Sequence, residues 1–267
     1  MLALNWALAL RHRCEIILGC HKRNIILVGT NTKWIDLDYV DNFVPVLEEV
    51  KPQVVIHAAG LTSVEKCESE PELAHHVNVK LAENVAKACT LHETKLVHIS
   101  TDHLFSGEDS FVTEDQPLAP RNVYGQTKAE AEYRVLEANS KALVIRTNFF
   151  GWGTSYRRSF SDFVIYPLRA GKVLTLFKDA FYTPILVETL ATAVHDLIHH
   201  NASGIYHVVG DERISKYEFG LKIAEKFSLD PGGITSGLIG GRLDLVRRPF
   251  DMSLSNQKTR DFLGRHL

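Results

Sequence analysis

Cysteine is scarce in this chain, and its four residues, Cys14, Cys20, Cys67 and Cys89, form no Cys-x-x-Cys pair. Free thiols in a reducing cytoplasm are the simplest reading. A surplus of one charge sign is also missing. The net charge is −2, with acids and bases interspersed, so nothing points to a nucleic-acid partner. Long apolar runs are absent, and none approaches the length of a membrane span. The sequence therefore suggests no membrane partner, and the cytoplasm is the expected location. The leading stretch from Met1 to Leu10 is apolar, but no basic region precedes it. Arg11-His12-Arg13 follows where a small-residue cleavage site would stand, so the stretch reads as a buried helix and not as a targeting signal. The sequence shows no internal repeat and no low-complexity segment. What it has is length and apolar content: 267 residues, 45% hydrophobic, enough for one large α/β domain or a domain with a smaller lobe.

Apolar runs alternate with amphipathic ones. Strands are expected at Cys14–Gly19, Asn24–Val28, Lys33–Asp38, Gln53–His57, Lys95–Ser100 and Ala142–Arg146. Helices are expected over residues 1–12, 41–50 and Pro71–Leu91, and from Tyr124 to about Asn139. Such alternation means a doubly wound parallel sheet of Rossmann type, in which ligands sit beyond the carboxyl ends of the strands. The ends to watch are Ala58-Ala59-Gly60, Ser100-Thr101-Asp102 and Thr147-Asn148. After about residue 150 the spacing changes. Helices are expected at Arg158–Ala170, Val187–His200 and from Ser215 to Phe227. Ser215 and Glu218 form a capping box for the last of these. The division expected is a dinucleotide-binding domain over 1–150 and mainly a smaller substrate-binding lobe over 151–267, with some segments returning to the main sheet.

Tyr124 and Lys128 stand four apart on the helix and so share a face. An ammonium beside a phenol lowers the phenol's pKa, and a phenol so tuned exchanges protons near neutral pH. Thr101 lies just past a strand end. A hydroxyl to hold a carbonyl oxygen, a phenol to donate a proton and a lysine to tune the phenol are what carbonyl reduction needs, with hydride from a nicotinamide. The basic run Cys20-His21-Lys22-Arg23 ends an early strand. It suits the 2′-phosphate of NADP(H), although a solvated basic turn fits as well; NAD(H) would call for a carboxylate there. No metal site is expected. His195 and His199 lack a third ligand and an intervening glutamate, and Glu65, Glu68 and Glu70 read as a solvated face.

Three ordered motifs carry a family resemblance. They are His57-Ala58-Ala59-Gly60-Leu61-Thr62-Ser63-Val64-Glu65 with Asn78-Val79 beyond it, Ser100-Thr101-Asp102-His103-Leu104-Phe105-Ser106-Gly107, and Asn122-Val123-Tyr124-Gly125-Gln126-Thr127-Lys128. Together they resemble the extended short-chain dehydrogenase/reductases, and most of all the dTDP-4-dehydrorhamnose reductases. The resemblance implies that Thr101, Tyr124 and Lys128 are catalytic. It implies that Ala58, Ala59 and Gly60 line a cofactor, with Asp36 and Leu37 near its adenine; Arg23, in the basic run above, is the residue expected at a 2′-phosphate. It implies substrate contacts from Asp102, His103, Arg146, Asn148, Thr183 and Arg248. It implies a nucleotide-sugar substrate; the basic run leans the cofactor to NADP(H), with NAD(H) as the alternative, and a homodimer is the assembly considered. His103 stands where related 4,6-dehydratases carry a second acid, which argues for plain reduction.

One family feature is not in the sequence: the opening strand and its Gly-x-x-Gly-x-x-Gly turn, which cradles a pyrophosphate at a helix N-terminus. The expectation is therefore a sheet with its first strand missing and an incomplete chain. Two other functions stay open on this reading: an epimerase or other ketone reductase of the same superfamily, and a non-catalytic regulatory subunit.

Overall fold

The structure, a computed structural model, describes every residue except Lys22, Asn24 and Leu243. Helix α1 (Leu2–Leu10) is followed by strands β1 (Ile17–Cys20) and β2 (Asn31–Trp34), which pair in parallel. The expected strand at Asn24–Val28 does not form over its described part: Ile25–Leu27 is irregular and Val28-Gly29 makes a turn. Asn24 lies outside the described residues. The strand expected at Lys33–Asp38 starts and ends earlier, because Asp36 turns the chain into α2 (Val40–Val50). Its carboxylate accepts from Asp38 N at 2.9 Å and from Asn42 Nδ2 at 2.7 Å.

Strand β3 (Val54–His57) opens the main sheet. The single helix expected over Pro71–Leu91 is divided. Helix α3 (Val64–Ser69) comes first, then α4 (Pro71–His75), a π turn at His76–Lys80 and α5 (Leu81–Leu91). Such turns concentrate at functional positions, and this one carries Asn78. Strand β4 (Lys95–Ile99), helix α6 (Val123–Ala138) and strand β5 (Leu143–Arg146) follow. The rest comprises β6 (Phe149–Phe150), α7 (Phe160–Arg169), β7 (Leu174–Phe177), β8 (Phe181–Tyr182), β9 (Ile185–Leu186), α8 (Val187–His199), β10 (Gly204–His207), β11 (Ile214–Ser215), α9 (Lys216–Lys226), β12 (Ile234–Gly237) and α10 (Gln257–Leu263). The capping box at Ser215 and Glu218 is present, and Ser159 with Asp162 forms another.

The main sheet has the order β10-β5-β4-β3, all parallel. Side chains alternate across it, and each face buries its own core. On one face Val97, Ile99, Leu143 and Ile145 pack with Leu2, Trp6 and Leu10 of α1 and Leu190, Val194 and Leu197 of α8. On the other, Leu96 and Val144 pack with Phe43, Leu47, Val85, Ala131 and Val135 from α2, α5 and α6. Helices on both faces of a parallel sheet are the doubly wound solution. A separate cluster around Ile165, Leu176, Tyr182, Phe219 and Ile223 holds α7 and α9 over β7 and β12. The apolar N-terminal stretch is a packed helix. Trp6 Nε1 donates to His195 Nε2 at 3.2 Å, and Asn5 exchanges hydrogen bonds with the backbone of Trp152. That use of His195 accounts for it without a metal.

Candidate active site

Helix α6 begins at a well-made cap. Asn122 accepts from Gly125 N at 2.9 Å and reaches Arg247 O with its amide, also at 2.9 Å. Gly125 is required by close approach, since a Cβ there would collide with the carbonyl oxygen of His103. This contact lays the loop after β4 against the first turn of α6. Thr101, Tyr124 and Lys128, all buried, are thereby brought together beyond the carboxyl end of β4. Thr101 Oγ1 donates to Asp102 Oδ1 at 3.2 Å and accepts from His103 N at 3.3 Å. Asp102 in turn accepts from Asn148 Nδ2, which ties the end of β5 to the end of β4. The His103 ring stands edge-on to Tyr124 at 5.4 Å between centroids, with its Nδ1 buried and without a partner among the described residues.

The electrostatics differ from expectation at Tyr124. Burial pushes its phenol up, and Asp102 and Cys67 push the same way; the Thr101 hydroxyl and Arg157 pull against them. Lys128 is not among the groups that shift it; that ammonium meets other partners. It donates to Ile99 O at 2.8 Å and meets His98 Nε2 at 3.1 Å. Burial lowers Lys128 itself to about 8, against the opposing pull of Glu132. At neutral pH the pair is a protonated phenol and an ammonium, which are the forms a proton donor and its supporter need.

Two further residues bind the site together. Asn78 Oδ1 accepts from Leu61 N at 2.7 Å, and its amide donates to Leu61 O at 3.1 Å and Thr127 Oγ1 at 3.0 Å. The turn Ala58-Ala59-Gly60 is thus fixed against α6. A Cβ at Gly60 would lie 3.2 Å from Asn78 Oδ1, so glycine suits the close approach of that side chain, and Ala59 beside it is exposed. Arg23 is exposed beyond the end of β1, over the Tyr156 ring at 4.4 Å. Asp36 and Leu37 lie just past β2, and Leu37 O accepts from Asn84 at 2.9 Å. Arg248 pairs with Glu65 of α3 and is near enough to depress His103.

Two expected substrate contacts are corrected. Arg146 is fully buried on the α6 side of the sheet. Its Nε and Nη2 bind Glu132 at 2.8–3.1 Å, and its Nη1 turns to Glu114 O and His207. Strand alternation sends its side chain into the core and leaves no donor for a sugar. Thr183 is also buried. Its hydroxyl accepts from Leu254 N at 3.1 Å and holds the C-terminal segment in place.

Sequence reading missed Lys216 and His98. Lys216 holds its ammonium over Tyr182, 3.1 Å from the ring centroid, and 5.0 Å from that of Phe160. Burial lowers it to about 8, opposed by Asp102. The Tyr182 hydroxyl is buried without a partner among the described residues. The one signal for Lys216 was its place just after a capping serine. Among the described residues no group of three or more metal-ligating side chains converges, and no helix is long and apolar enough to cross a membrane.

Comparison with known proteins gives the family and the fold. The RmlD substrate binding domain family matches residues 14–267. The probable low-salt glycan biosynthesis reductase Agl14 of Haloferax volcanii is 34% identical over 86% of this chain and 78% of its own length. The dTDP-4-dehydrorhamnose reductase of Escherichia coli is 30% identical over 67% of this chain and 62% of its own. Methionine adenosyltransferase 2 subunit beta of Xenopus laevis is 32% identical over 68% and 57%. The chain thus spans less than two thirds of the last two. Among solved structures, a hypothetical dTDP-4-dehydrorhamnose reductase from Sulfolobus tokodaii superposes with a TM-score of 0.84 at 33% identity, covering 98% of this chain and 91% of the other. A Bacillus anthracis dTDP-4-dehydrorhamnose reductase in complex with NADP gives 0.81 at 27% identity, over 89% and 84%.

Proposed function

We propose that this chain, which belongs to the RmlD substrate binding domain family, reduces a 4-keto group on a nucleotide-linked deoxysugar with NADP(H). The observation that carries the reading is the convergence of Thr101, Tyr124 and Lys128 beyond the carboxyl end of β4. A bound nicotinamide dinucleotide would supply hydride. The residues suited to hold it are Ala58, Ala59 and Gly60 by their backbone, Lys128 at its ribose and Arg23 at a 2′-phosphate. The fit rests on the exposed turn at Ala59 and the exposed side chain of Arg23.

The protein's own part is proton supply and orientation. Tyr124, neutral because it is buried, donates its phenolic proton to the carbonyl oxygen as charge develops there. Thr101 turns its hydroxyl proton from Asp102 to the same oxygen, and Lys128, anchored at Ile99 O and His98, acts at the cofactor's ribose. His103, Asn148 and Arg248 border the sugar. A cytoplasmic location and a homodimer belong to the same reading.

Tyr124→Phe tests it. In the full chain, NADPH oxidation with a 4-keto nucleotide sugar should fall by at least about 100-fold, the scale of a lost general acid. Unchanged turnover would overturn the assignment. The similarity to the methionine adenosyltransferase subunit favours a second reading, a subunit that serves a partner. Stoichiometric co-purification of a partner, with no NADPH oxidation on any 4-keto sugar, would select it.

A further inference from the structure

Next to Lys128 lie two buried histidines that the reduction scheme leaves unused. His57 ends β3, and His98 is its register partner in β4. Alternation turns both onto the α5–α6 face, beside Lys128. The Nδ1 atoms of the two rings are 3.1 Å apart, and His98 Nε2 is 3.1 Å from Lys128 Nζ.

The chemistry of the donors allows one arrangement. An ammonium only donates, so His98 Nε2 must accept. The His98 proton is then on Nδ1 and is given to His57 Nδ1. That leaves the His57 proton on Nε2, which is buried without a partner among the described residues. Both rings are neutral. Burial lowers His57 to about 3 with help from Lys128, and it lowers His98 well below the usual range with help from Lys128 and His57. An apolar pair would fill this space without an orphaned N–H, which is costly. Packing alone does not explain two imidazoles in series.

We propose that His98, locked in one tautomer by His57, is a positioning residue that fixes the Lys128 ammonium and keeps it charged. Lys128 is then anchored at two points, His98 Nε2 and Ile99 O, with its third N–H left for the cofactor's ribose. This proposal rests on the reductase reading. Beyond Ile99 O, the polar groups facing Lys128 are His98 from β4, with His57 of β3 behind it, and Glu132 and Tyr124 from α6. Glu132 is itself held by Arg146 of β5.

The first test needs no activity. In 15N NMR of the histidine-labelled chain, His98 should be the Nδ1–H tautomer and His57 the Nε2–H tautomer. Neither should titrate between roughly pH 5 and 9, where a free imidazole does. Lys128→Met should release His98 to exchange between tautomers. Titration of either ring near its ordinary value, or no response to Lys128→Met, overturns the proposal.

The second test is kinetic. His98→Leu should lower kcat about 10- to 100-fold, the scale of one hydrogen bond to a charged group, with little change in the KM of the sugar. The basic limb of the kcat profile should move to lower pH, because a lost acceptor disfavours the ammonium. His98→Gln can accept from Lys128 and donate to His57, so it should restore most of the rate. Identical profiles in wild type and His98→Leu would overturn the proposal. If His98→Leu does not fold, the glutamine variant and the tautomer measurement decide. A wild-type chain that oxidises no NADPH sinks the reductase reading instead, and the tautomer measurement still decides the His98–Lys128 contact.

Discussion

At the scale of single residues, the site places charge where the fold resists it. Lys128 is almost wholly buried and its pKa falls from 10.5 to about 8. In the unfolded chain the amine binds its proton up to its ordinary value, so between these two pH values the unfolded state holds more protons. Stability attributable to Lys128 therefore rises as pH climbs from about 8 to 10.5, and the full penalty applies below 8. The shift corresponds to a few kcal/mol, on the order of 1.4 per unit. Urea midpoints of the wild type should show this rise, and Lys128→Met should lack it. Thr101→Ala should reduce kcat by roughly 10-fold or more, one hydrogen bond to a developing charge, with the melting temperature little altered.

At the scale of elements, the contact between α6 and its neighbours decides whether Thr101, Tyr124 and Lys128 come together. Gly125→Ala drives a methyl into the backbone of His103. It should cost about 1–3 kcal/mol by urea denaturation, and it should depress activity by more than the stability loss explains. Arg146 and Glu132 tie β5 to α6 in the core. Arg146→Met strands the Glu132 carboxylate and should cost about 3–5 kcal/mol, while Arg146→Met with Glu132→Leu should recover much of it. The KM of the sugar should be unmoved in whichever variants fold, since Arg146 is buried against Glu132. The sequence showed that Arg146 ends a strand. It could not show which face the side chain takes, because strand register depends on the neighbours.

At the scale of the whole molecule, the carboxyl ends of β3, β4 and β5, neighbours in one parallel sheet, lie along one edge, where the proposed dinucleotide would run. A ligand that binds only the folded state stabilises it by about 2.7 kcal/mol at a hundredfold excess over Kd, or roughly 5–10 °C for a chain of this size. NADPH should raise the melting temperature more than NADH does. Arg23→Ala should narrow that difference without abolishing the NADH shift. An equal response of both variants to both cofactors would count against the role given to Arg23.

The α/β alternation, the cap at Ser215 and the Tyr124–Lys128 spacing were all readable from local pattern, because helix periodicity and capping are short-range physics. So was the order of the three motifs. Tertiary structure decided the rest. The π turn at Asn78, which locks Leu61 to Thr127, divides a segment that reads as one helix. Burial turned Tyr124 the opposite way from the effect expected of its lysine neighbour. Arg146 and Thr183 proved to be structural, since their partners, Glu132 and Leu254, come from elsewhere in the chain. His57 and His98 meet only because two parallel strands align in register, forty-one residues apart. Spacing along one helix is fixed by the chain itself, whereas a hydrogen bond between strands exists only once the sheet has formed.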